Sequence, residues 1–310
     1  MVKSNRHQKE EYMKYTIQDG IIEIAPNEAM RRKTVADFLD EYRQSKKNRY
    51  LLVQDGMILL DGVPVKDIQQ EIGMRTLAIL RKDSGPDWIQ SETPCEVIYD
   101  DAFVYIVHKE AGVIIHGEPD DTECLNAMAA AWLADHDLHV PVRPLHRLDK
   151  DTRGLVMYSR IPFFQPWLDA MMKEKQIRRH YLAICYGKAE PGMKFTCNEA
   201  IGADRHRNGA YRVSKTGVPA STKAEVLARK GKYLLIGCQL ETGRTHQIRV
   251  HLANKGFPIV NDPLYGKVSA DFEHMGLWAD EIEFRSPLTR KKHRIRDRML
   301  KEYEIFGLEK

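Results

Sequence analysis

The sequence contains little cysteine, and its cysteines are poorly placed for cross-linking or for metal binding. There are five among 310 residues, an odd number, and no two lie close together. Disulfide frameworks use even sets of cysteines and thiolate zinc sites use closely spaced pairs, so we expect neither. We interpret all five as reduced, buried, small apolar residues. They are Cys95, Cys124, Cys185, Cys197 and Cys238.

Long apolar runs are also missing. No eighteen consecutive residues are apolar, which argues against a membrane-spanning helix. The segment 1–15 is polar and mixed in charge, unlike a secretory signal. Internal repeats and low-complexity blocks are absent too. We therefore expect a cytoplasmic protein without a membrane partner, and we take a monomer as the default oligomeric state.

Neither sign of charge dominates the chain. Lys and Arg number 48 and Asp and Glu 44, so the net charge is +4, with a pI of about 8.6. This excess alone is weak evidence for a polyanionic partner. The basic residues are clustered at 31–33, 46–49, 178–180 and 290–296. Each cluster alone is more often a solvated surface than a binding site, but four in one chain favour a polyanionic partner.

Turn-forming residues divide the chain into a small and a large unit. The segment 83–87, with sequence DSGPD, is the best linker candidate. Ahead of it, Thr34 and Ser45 are predicted to cap two short helices, and Asp61 and Gly62 are predicted to turn a hairpin. We therefore predict an extension at 1–28, a small α/β unit at 29–82, a linker at 83–94 and a large unit at 95–310.

Strand patterns outnumber helix patterns in the large unit, and several strands follow one another without a helix between them. Strands are predicted at 103–107, 113–115, 155–158, 181–186, 224–227 and 233–240. Helices are predicted from Asp121 or Thr122 to about 133, at 164–172 and at 245–254, the last closed by Gly256. This order favours an α+β fold with a central mixed, largely antiparallel sheet flanked by helices.

One segment, 146–155, is dense in residues capable of chemistry. It has the sequence HRLDKDTRGL and joins a proline-bearing loop to a predicted strand. Catalytic side chains are often placed on such loops. Asp149 is therefore a candidate catalytic carboxylate. The alternative is a surface turn in which Asp149 only pairs with Lys150 or Arg147.

A second segment, 242–252, has the sequence TGRTHQIRVHL and is predicted to begin a helix. His246 and Arg249 are three residues apart and would share a helix face. A helix N-terminus preceded by Gly-Arg suits an anion, which makes Arg244 a candidate contact. The spacing of His246 and His251 does not fit a helical zinc pair. The alternative is an ordinary amphipathic helix with solvated arginines.

Taken together, these two segments resemble the RluA-type RNA pseudouridine synthases. Further matches follow in order within about 95–288, at 96–101, 107–113, 177–183, 220–222 and 258–266. The resemblance implies the pseudouridine synthase fold and the isomerisation of specific uridines in structured RNA. It also implies that the chemistry uses no cofactor and no metal.

The resemblance assigns roles to individual residues. Asp149 matches the family nucleophile, Arg249 its basic partner and Tyr181 the aromatic residue that stacks on the target base. Arg147 matches a residue that enters the space left by the flipped uridine. The other residues that we expect to contact substrate or RNA here are His146, Thr152, Arg153, Arg244 and His246. Within the same motifs, we expect His146 to orient the loop, and Asp262 and Tyr265 to hold a loop rather than to react.

Three positions depart from the family pattern. Arg153 stands where the family usually has serine, Glu110 replaces a proline, and Asn261 replaces a glycine. None of them removes a residue that the family chemistry requires. Because Arg153 is close to Asp149 in sequence, we expect it to influence which RNA is accepted.

The small unit, at about 30–82, resembles the RNA-binding domain named after ribosomal small-subunit protein S-four. This resemblance implies a second contact with RNA. Lys46, Lys47 and Arg49, together with Arg43, are then the expected phosphate contacts. Such a domain favours ribosomal RNA as the partner, with transfer RNA as the other candidate.

Three other functions fit part of the pattern. A non-catalytic protein that binds structured RNA would have no need of Asp149, Tyr181 and Arg249 together. A nucleoside glycosidase normally uses a pair of carboxylates and needs no RNA-binding domain. A metal-dependent nuclease is not supported by the spacing of the acidic, histidine or cysteine residues.

Overall fold

The computed structural model describes residues 13–18, 20–81, 87–118 and 120–307. Within these ranges the chain forms one five-stranded sheet, one ten-stranded sheet and a two-stranded hairpin. The predicted linker at 83–94 lies partly outside the described residues, because its first part falls in the gap at 82–86.

The five-stranded sheet and two helices form the small unit. Its strands run in the order β1-β2-β5-β3-β4, and every neighbouring pair is antiparallel. The elements are β1 (Tyr15–Gln18), β2 (Ile21–Ile24), α1 (Val35–Glu41), α2 (Lys46–Gln54), β3 (Ile58–Leu60), β4 (Val63–Pro64) and β5 (Leu77–Leu80).

Local sequence accounts for the helix starts and the hairpin of the small unit. The Thr34 hydroxyl accepts the backbone N–H of Asp37, whose carboxylate in turn accepts the N–H of Thr34, so α1 begins with a capping box. The Ser45 hydroxyl caps α2, as predicted. Asp61 and Gly62 both have positive φ, as a tight hairpin turn between β3 and β4 requires.

The small unit begins earlier than the sequence indicated. We predicted an extension up to residue 28, but β1 and β2 belong to the five-stranded sheet, because β2 pairs with β5 along its whole length. Ile22 and Ile24 are buried there. A single polar residue, Glu23, separates these two isoleucines, which was too little alternation to distinguish a strand from a tail.

The large unit is built around the ten-stranded sheet. Its elements are β6 (Glu96–Asp100), β7 (Val104–Lys109), α3 (Leu125–Asp135), β8 (Arg143–Pro144), β9 (Arg153–Ser159), α4 (Gln165–Lys173), β10 (Arg178–Tyr186), β11 (Lys194–Cys197), β12 (Ile201–Ala203), β13 (Tyr211–Val213), β14 (Thr222–Lys230), β15 (Tyr233–Leu240), α5 (Gln247–Asn254), β16 (Leu277–Arg285) and β17 (Lys292–Arg296). Two short 3₁₀ helices, Pro162–Phe164 and Lys301–Phe306, precede α4 and follow β17.

The large sheet is mixed but almost entirely antiparallel, which confirms the predicted α+β class. The main path runs β11-β14-β15-β10-β16-β9-β7-β6, with β17 on β16 and β8 on β9. Only β16 and β9 pair in parallel among the described strands. Gly154 allows this contact, because a Cβ there would lie 2.3 Å from the Ala279 carbonyl oxygen.

Two predicted elements differ from the structure. The run at 113–115 is not a strand; it forms an irregular segment whose backbone carbonyls bind the start of α3 and Lys109. Helix α3 begins at Leu125, with Cys124 as its N-cap, rather than at Asp121 or Thr122. The predicted starts were polar residues that instead make a turn ahead of the helix.

Candidate active site

The loop between β8 and β9 carries Asp149. Because β8 pairs directly with β9, the segment between them projects from the sheet as a wide turn. The backbone N–H of Thr152 donates to the Asp149 carbonyl, 3.1 Å away. The fully buried Lys109 Nζ donates to the Lys150 carbonyl at 2.8 Å and to the Glu110 and Val113 carbonyls. The backbone on the C-terminal side of Asp149 is therefore held in place.

Arg249, in the first turn of α5, faces the Asp149 carboxylate. Its Nη1 donates to Asp149 Oδ2 at 3.0 Å. Its Nε and Nη2 donate to the two oxygens of Asp262, at 2.8 and 2.9 Å. The guanidinium is buried and also lies 5.2 Å from the centre of the Tyr265 ring. The two bonds to Asp262 fix the plane of the guanidinium, and this orientation presents Nη1 to Asp149.

Asp262 is as buried as Arg249 and is ionised there. Burial alone would raise the pKa of Asp262, but the hydrogen bonds and charge of Arg249 hold it below its usual value. The backbone N–H groups of Leu264 and Tyr265 donate to the same carboxylate. We expected Asp262 to hold a loop only; the structure shows that it holds this loop and Arg249 together.

Tyr181 and Asp149 line the same cleft, of about 1010 Å³. Tyr181 lies on β10, next to Cys238 of β15, and is 3% exposed. Burial raises the pKa of Tyr181, the charge of Asp149 acts in the same direction, and Arg179 opposes both. The phenol therefore stays protonated near neutral pH. The predicted trio of Asp149, Tyr181 and Arg249, which are far apart in sequence, is brought together in one cleft.

The remaining predicted residues of the cleft fall into an inner and an outer group. His146 is buried, and its Nε2 accepts the backbone N–H of Met157 on β9. Burial lowers the pKa of His146 well below its usual value, so the ring is neutral. Thr152 is buried in the cleft wall, whereas Arg147 and Arg244 are exposed at the rim. These positions fit His146 as a residue that orients the loop, and Arg147 and Arg244 as contacts for an anion.

Comparison with known proteins shows which family this chain is similar to. Residues 103–254 match the family model described as RNA pseudouridylate synthase. YlyB of Bacillus subtilis strain 168, described as an uncharacterized RNA pseudouridine synthase, is 30% identical over 86% of this chain and 91% of its own length. The ribosomal large subunit pseudouridine synthase D of Xylella fastidiosa is 32% identical over 82% of this chain and 80% of its own.

The chain belongs to the RNA pseudouridine synthase family. It is therefore an isomerase that acts on uridine in RNA. The fold agrees: human RNA pseudouridylate synthase domain containing 1 has a TM-score of 0.55 at 23% identity, over 66% of this chain and 83% of that one. The human domain containing 4 has a TM-score of 0.54 at 19% identity, over 69% and 94% of the two chains.

Arg153 does not enter the active-site cleft of this synthase, contrary to our expectation. Its side chain is 6% exposed and donates to Glu302 of the last 3₁₀ helix, with Nη2 2.8 Å from Oε1. It lines a separate surface depression beside His274 and Leu300. Asp149 lies in the loop before β9 whereas Arg153 is the first residue of that strand, and closeness in sequence did not bring the two side chains to the same site. The structure therefore gives Arg153 a role in holding the C-terminal segment.

The predicted phosphate contacts of the small unit differ in whether they form ion pairs within the protein. Lys46 and Lys47 are exposed on the first turn of α2. Arg49 instead forms an ion pair with Asp40, and its Nε donates to the Gln44 carbonyl at 2.8 Å. Arg43 reaches Glu174 at the edge of the active-site cleft, 3.0 Å away. Lys46 and Lys47 thus remain the exposed cations of this set that form no ion pair among the described residues.

Lys109 is a buried cation at the site to which the sequence reasoning gave no function. Burial lowers its pKa to about 8, although the charges of Asp151 and Asp149 oppose the shift. The sequence did contain a signal, because Lys109 ends a strand made largely of apolar residues. A lysine in such a place is rarely buried unless its ammonium is bound. In this synthase three carbonyls bind it beneath the Asp149 loop.

The described part of the chain shows neither a metal-binding cluster nor a membrane span. It holds no group of three or more His, Cys, Asp or Glu side chains arranged to bind a metal ion. In the same ranges, no helix is both long enough and apolar enough to cross a membrane.

Proposed function

We propose that this synthase converts specific uridines of structured RNA to pseudouridine, with Asp149 as its nucleophile. The observation that carries the proposal is the position of the Asp149 carboxylate, 3.0 Å from the Arg249 guanidinium, in a cleft that Tyr181 also lines. A carboxylate must be ionised to attack, and an oriented guanidinium beside it keeps it aimed into the cleft. The motifs quoted above support assignment to the RluA type.

The reaction is an isomerisation that balances without an added reagent. The bond from C1′ to N1 of uracil breaks and a bond from C1′ to C5 forms, while N1 gains a proton and C5 loses one. Asp149 would form a transient bond to C1′ or C6 of the nucleotide and be released when the new C–C bond is complete. Tyr181 would stack on the uracil, and its protonated hydroxyl would serve in proton transfer.

The target uridine must leave its stack to reach Asp149. Extrusion costs a few kcal/mol, which contacts to the RNA backbone must offset. Cationic side chains surround the cleft and are positioned to make these contacts. They include Arg147, Lys173, Arg178, Arg179, Lys223 and Arg244. We assign Arg147 to the space that the flipped base leaves, and His146, Thr152 and His246 to the substrate-facing wall.

Ribosomal RNA is the favoured substrate, with transfer RNA as the other candidate. Several relatives bear the name ribosomal large subunit pseudouridine synthase D, and they come from different bacteria. We further propose that the small unit at 13–81 is an S-four-like RNA-binding domain that presents Lys46 and Lys47, which would favour the same substrate. A monomer suffices for this activity, because the cleft is formed by the residues of one chain.

A transcriptome-wide pseudouridine map tests the proposed function. It compares cells with the gene, cells without it, and cells that carry only the Asp149→Asn allele. We expect the same one or few sites to be lost in the deletion and in the mutant, because Asn keeps the shape of Asp149 but cannot attack. Sites that persist in the Asp149→Asn cells but not in the deletion would refute Asp149 as the nucleophile. No lost site in any RNA would refute the activity itself.

A further inference from the structure

His246 occupies a strained backbone position at the point where the active-site cleft meets a smaller pocket. It precedes α5 with φ 55° and ψ 21°, the left-handed region that costs a non-glycine residue free energy. It lines both the cleft and a neighbouring pocket of about 340 Å³, and Asp149 and Arg249 line both as well. Strain at such a position is retained where the surrounding structure needs the side chain in one place.

The hydrogen bonds of Tyr265 favour one tautomer of His246. The backbone N–H of Tyr211 donates to the Tyr265 hydroxyl oxygen at 2.7 Å. That hydroxyl lies 2.8 Å from His246 Nδ1. Among the described residues, Nδ1 is the group to which the Tyr265 hydroxyl can donate. With one acceptor site of its oxygen occupied, the Tyr265 hydroxyl is placed to donate to Nδ1, and in that arrangement the neutral ring carries its own proton on Nε2.

In this tautomer the Nε2–H group of His246 faces Asp149. Nε2 lies 3.9 Å from Asp149 Oδ2, beyond hydrogen-bond distance, with the carboxylate already held by Arg249. Burial lowers the pKa of His246, and although Asp149 and Asp262 oppose this shift, Arg249 adds to it. The ring is thus neutral near pH 7, and it offers one oriented donor beside the nucleophile.

We propose that His246 donates a hydrogen bond from Nε2 to an oxygen of the target uridine, and that Tyr265 is the positioning residue that selects this tautomer. The oxygen is a uracil carbonyl or a ribose hydroxyl, because both are acceptors close to the atoms that Asp149 attacks. A donor at this place would orient the flipped nucleotide against the carboxylate. The inference rests on the proposed function, and it adds a contact that Asp149, Tyr181 and Arg249 do not supply.

The tautomer is tested on the full-length protein without RNA. Long-range ¹H–¹⁵N spectra distinguish a protonated ring nitrogen from an unprotonated one. We expect the His246 signals to show a protonated Nε2 and an unprotonated Nδ1, and we expect Tyr265→Phe to mix the two tautomers. A protonated Nδ1 in the wild-type protein would overturn the proposal.

The donor is tested by tritium release from [5-³H]uridine-labelled RNA of cells that lack the gene. We expect His246→Ala and His246→Asn to lower kcat/KM roughly tenfold or more. Asn tolerates the left-handed backbone but is too short to reach the substrate, so its loss of activity would not come from backbone strain. His246→Gln carries an amide donor at the reach of Nε2 and should recover part of the activity. His139→Ala, an exposed histidine outside the cleft, is the matched control and should be unchanged.

The outcomes separate this proposal from the proposed function. Tritium release by the Asp149→Asn variant would refute Asp149 as the nucleophile, whatever the activity of the His246 variants. An inactive Asp149→Asn together with fully active His246→Ala or His246→Asn would refute the donor alone. Transcripts of the mapped target made with 2-thiouridine or 4-thiouridine then identify the acceptor. If replacing one carbonyl oxygen by sulfur slows the wild type but not His246→Ala, that carbonyl is the acceptor. If neither replacement has this effect, the acceptor is the ribose hydroxyl.

Discussion

At the residue scale, Arg249 determines the electrostatics of the active site. One guanidinium satisfies two carboxylates, Asp149 and Asp262, so the three groups together carry one negative charge. Asp262 is completely buried and Asp149 is partly exposed to the cleft. The buried carboxylate therefore anchors the arginine, and the partly exposed one faces the cleft.

Replacing the anchor should affect both stability and turnover. Asp262→Asn leaves Arg249 with a single carboxylate, and breaking a buried ion pair costs on the order of 3 kcal/mol. We expect kcat to fall more than KM rises, because Arg249 loses its fixed direction toward Asp149 while the cationic rim that faces the RNA is unchanged. Urea unfolding and tritium release measure the two effects. Unchanged stability and turnover would contradict the anchoring role.

The lowered pKa of Asp262 also determines how the free energy of unfolding changes with pH. Its contribution to stability is fully present above the pKa of an unfolded aspartate, about 4, and is lost as the pH falls through the lower folded value. The difference in unfolding free energy between the wild type and Asp262→Asn should therefore shrink as the pH is lowered below about 4. Urea unfolding of both proteins over a pH series measures this difference, and a difference that grows toward low pH would contradict the assignment.

At the element scale, two basic segments of the sequence have different roles. Along β17, Lys292, Arg294 and Arg296 form ion pairs with Glu283 and Glu281 of β16, at 2.7 to 3.1 Å. The cations of this run are therefore already paired with carboxylates of the neighbouring strand. Helix α2 has no buried residue, and it exposes Lys46 and Lys47 beside the aromatic Tyr50. We therefore expect α2, rather than β17, to contribute charge to RNA binding.

The contribution of α2 is measurable as a salt dependence. The double variant Lys46→Ala, Lys47→Ala should bind RNA more weakly and should reduce the slope of log affinity against log salt by about 1 for each phosphate that is no longer neutralised. Lys230→Ala, Lys232→Ala is the matched control, since it removes the same charge at the turn of β14 and β15, the end of those strands away from the cleft. Equal slopes for the two double variants would exclude α2 as an RNA-binding element.

At the scale of the whole molecule, the small unit shares a hydrophobic core with the large one. Phe38 and Tyr42 of the small unit pack on Phe163, with ring centres 6.1 and 5.8 Å apart. The Tyr42 hydroxyl donates to the Pro287 carbonyl at 3.1 Å, and Arg290 stacks on Tyr42 while its Nη2 donates to Glu41 at 2.6 Å. The small unit is thus packed firmly against the large one, and α2 keeps a defined position relative to the cleft.

A shared core predicts shared unfolding. Phe163→Ala should destabilise the protein by about 3–5 kcal/mol, because it removes a buried ring from the interface between the two units. Tryptophan fluorescence reports on the large unit, because the small unit contains none of the four tryptophans, whereas far-ultraviolet circular dichroism reports on both units. The two probes should give coincident urea transitions in the wild type. Val63→Ala, at an exposed position of β4, should change the stability by less than about 0.5 kcal/mol. Two separate transitions in the wild type would show that the units fold independently.

The prediction from sequence was most successful where the signal was local. The caps at Thr34 and Ser45 depend on contacts within three residues, as does the turn at Asp61 and Gly62, so the sequence contains the whole cause. The motifs around Asp149 and Arg249 identified the family for a similar reason, because chemistry requires those residue types at that spacing. The run at 113–115 was predicted wrongly as a strand, since a short apolar segment does not show whether a neighbouring strand is available for pairing.

The sequence by itself determined the family, the α+β class and the motifs that the cleft brings together. The tertiary structure alone decided which of the other charged residues meet that site. Arg153 and Asp262 show the difference: the first is four residues from Asp149 and points to the C-terminal segment, whereas the second is 113 residues away and holds the arginine that binds Asp149. Sheet pairing and burial act between residues far apart in the chain, so only the folded arrangement reveals such partners.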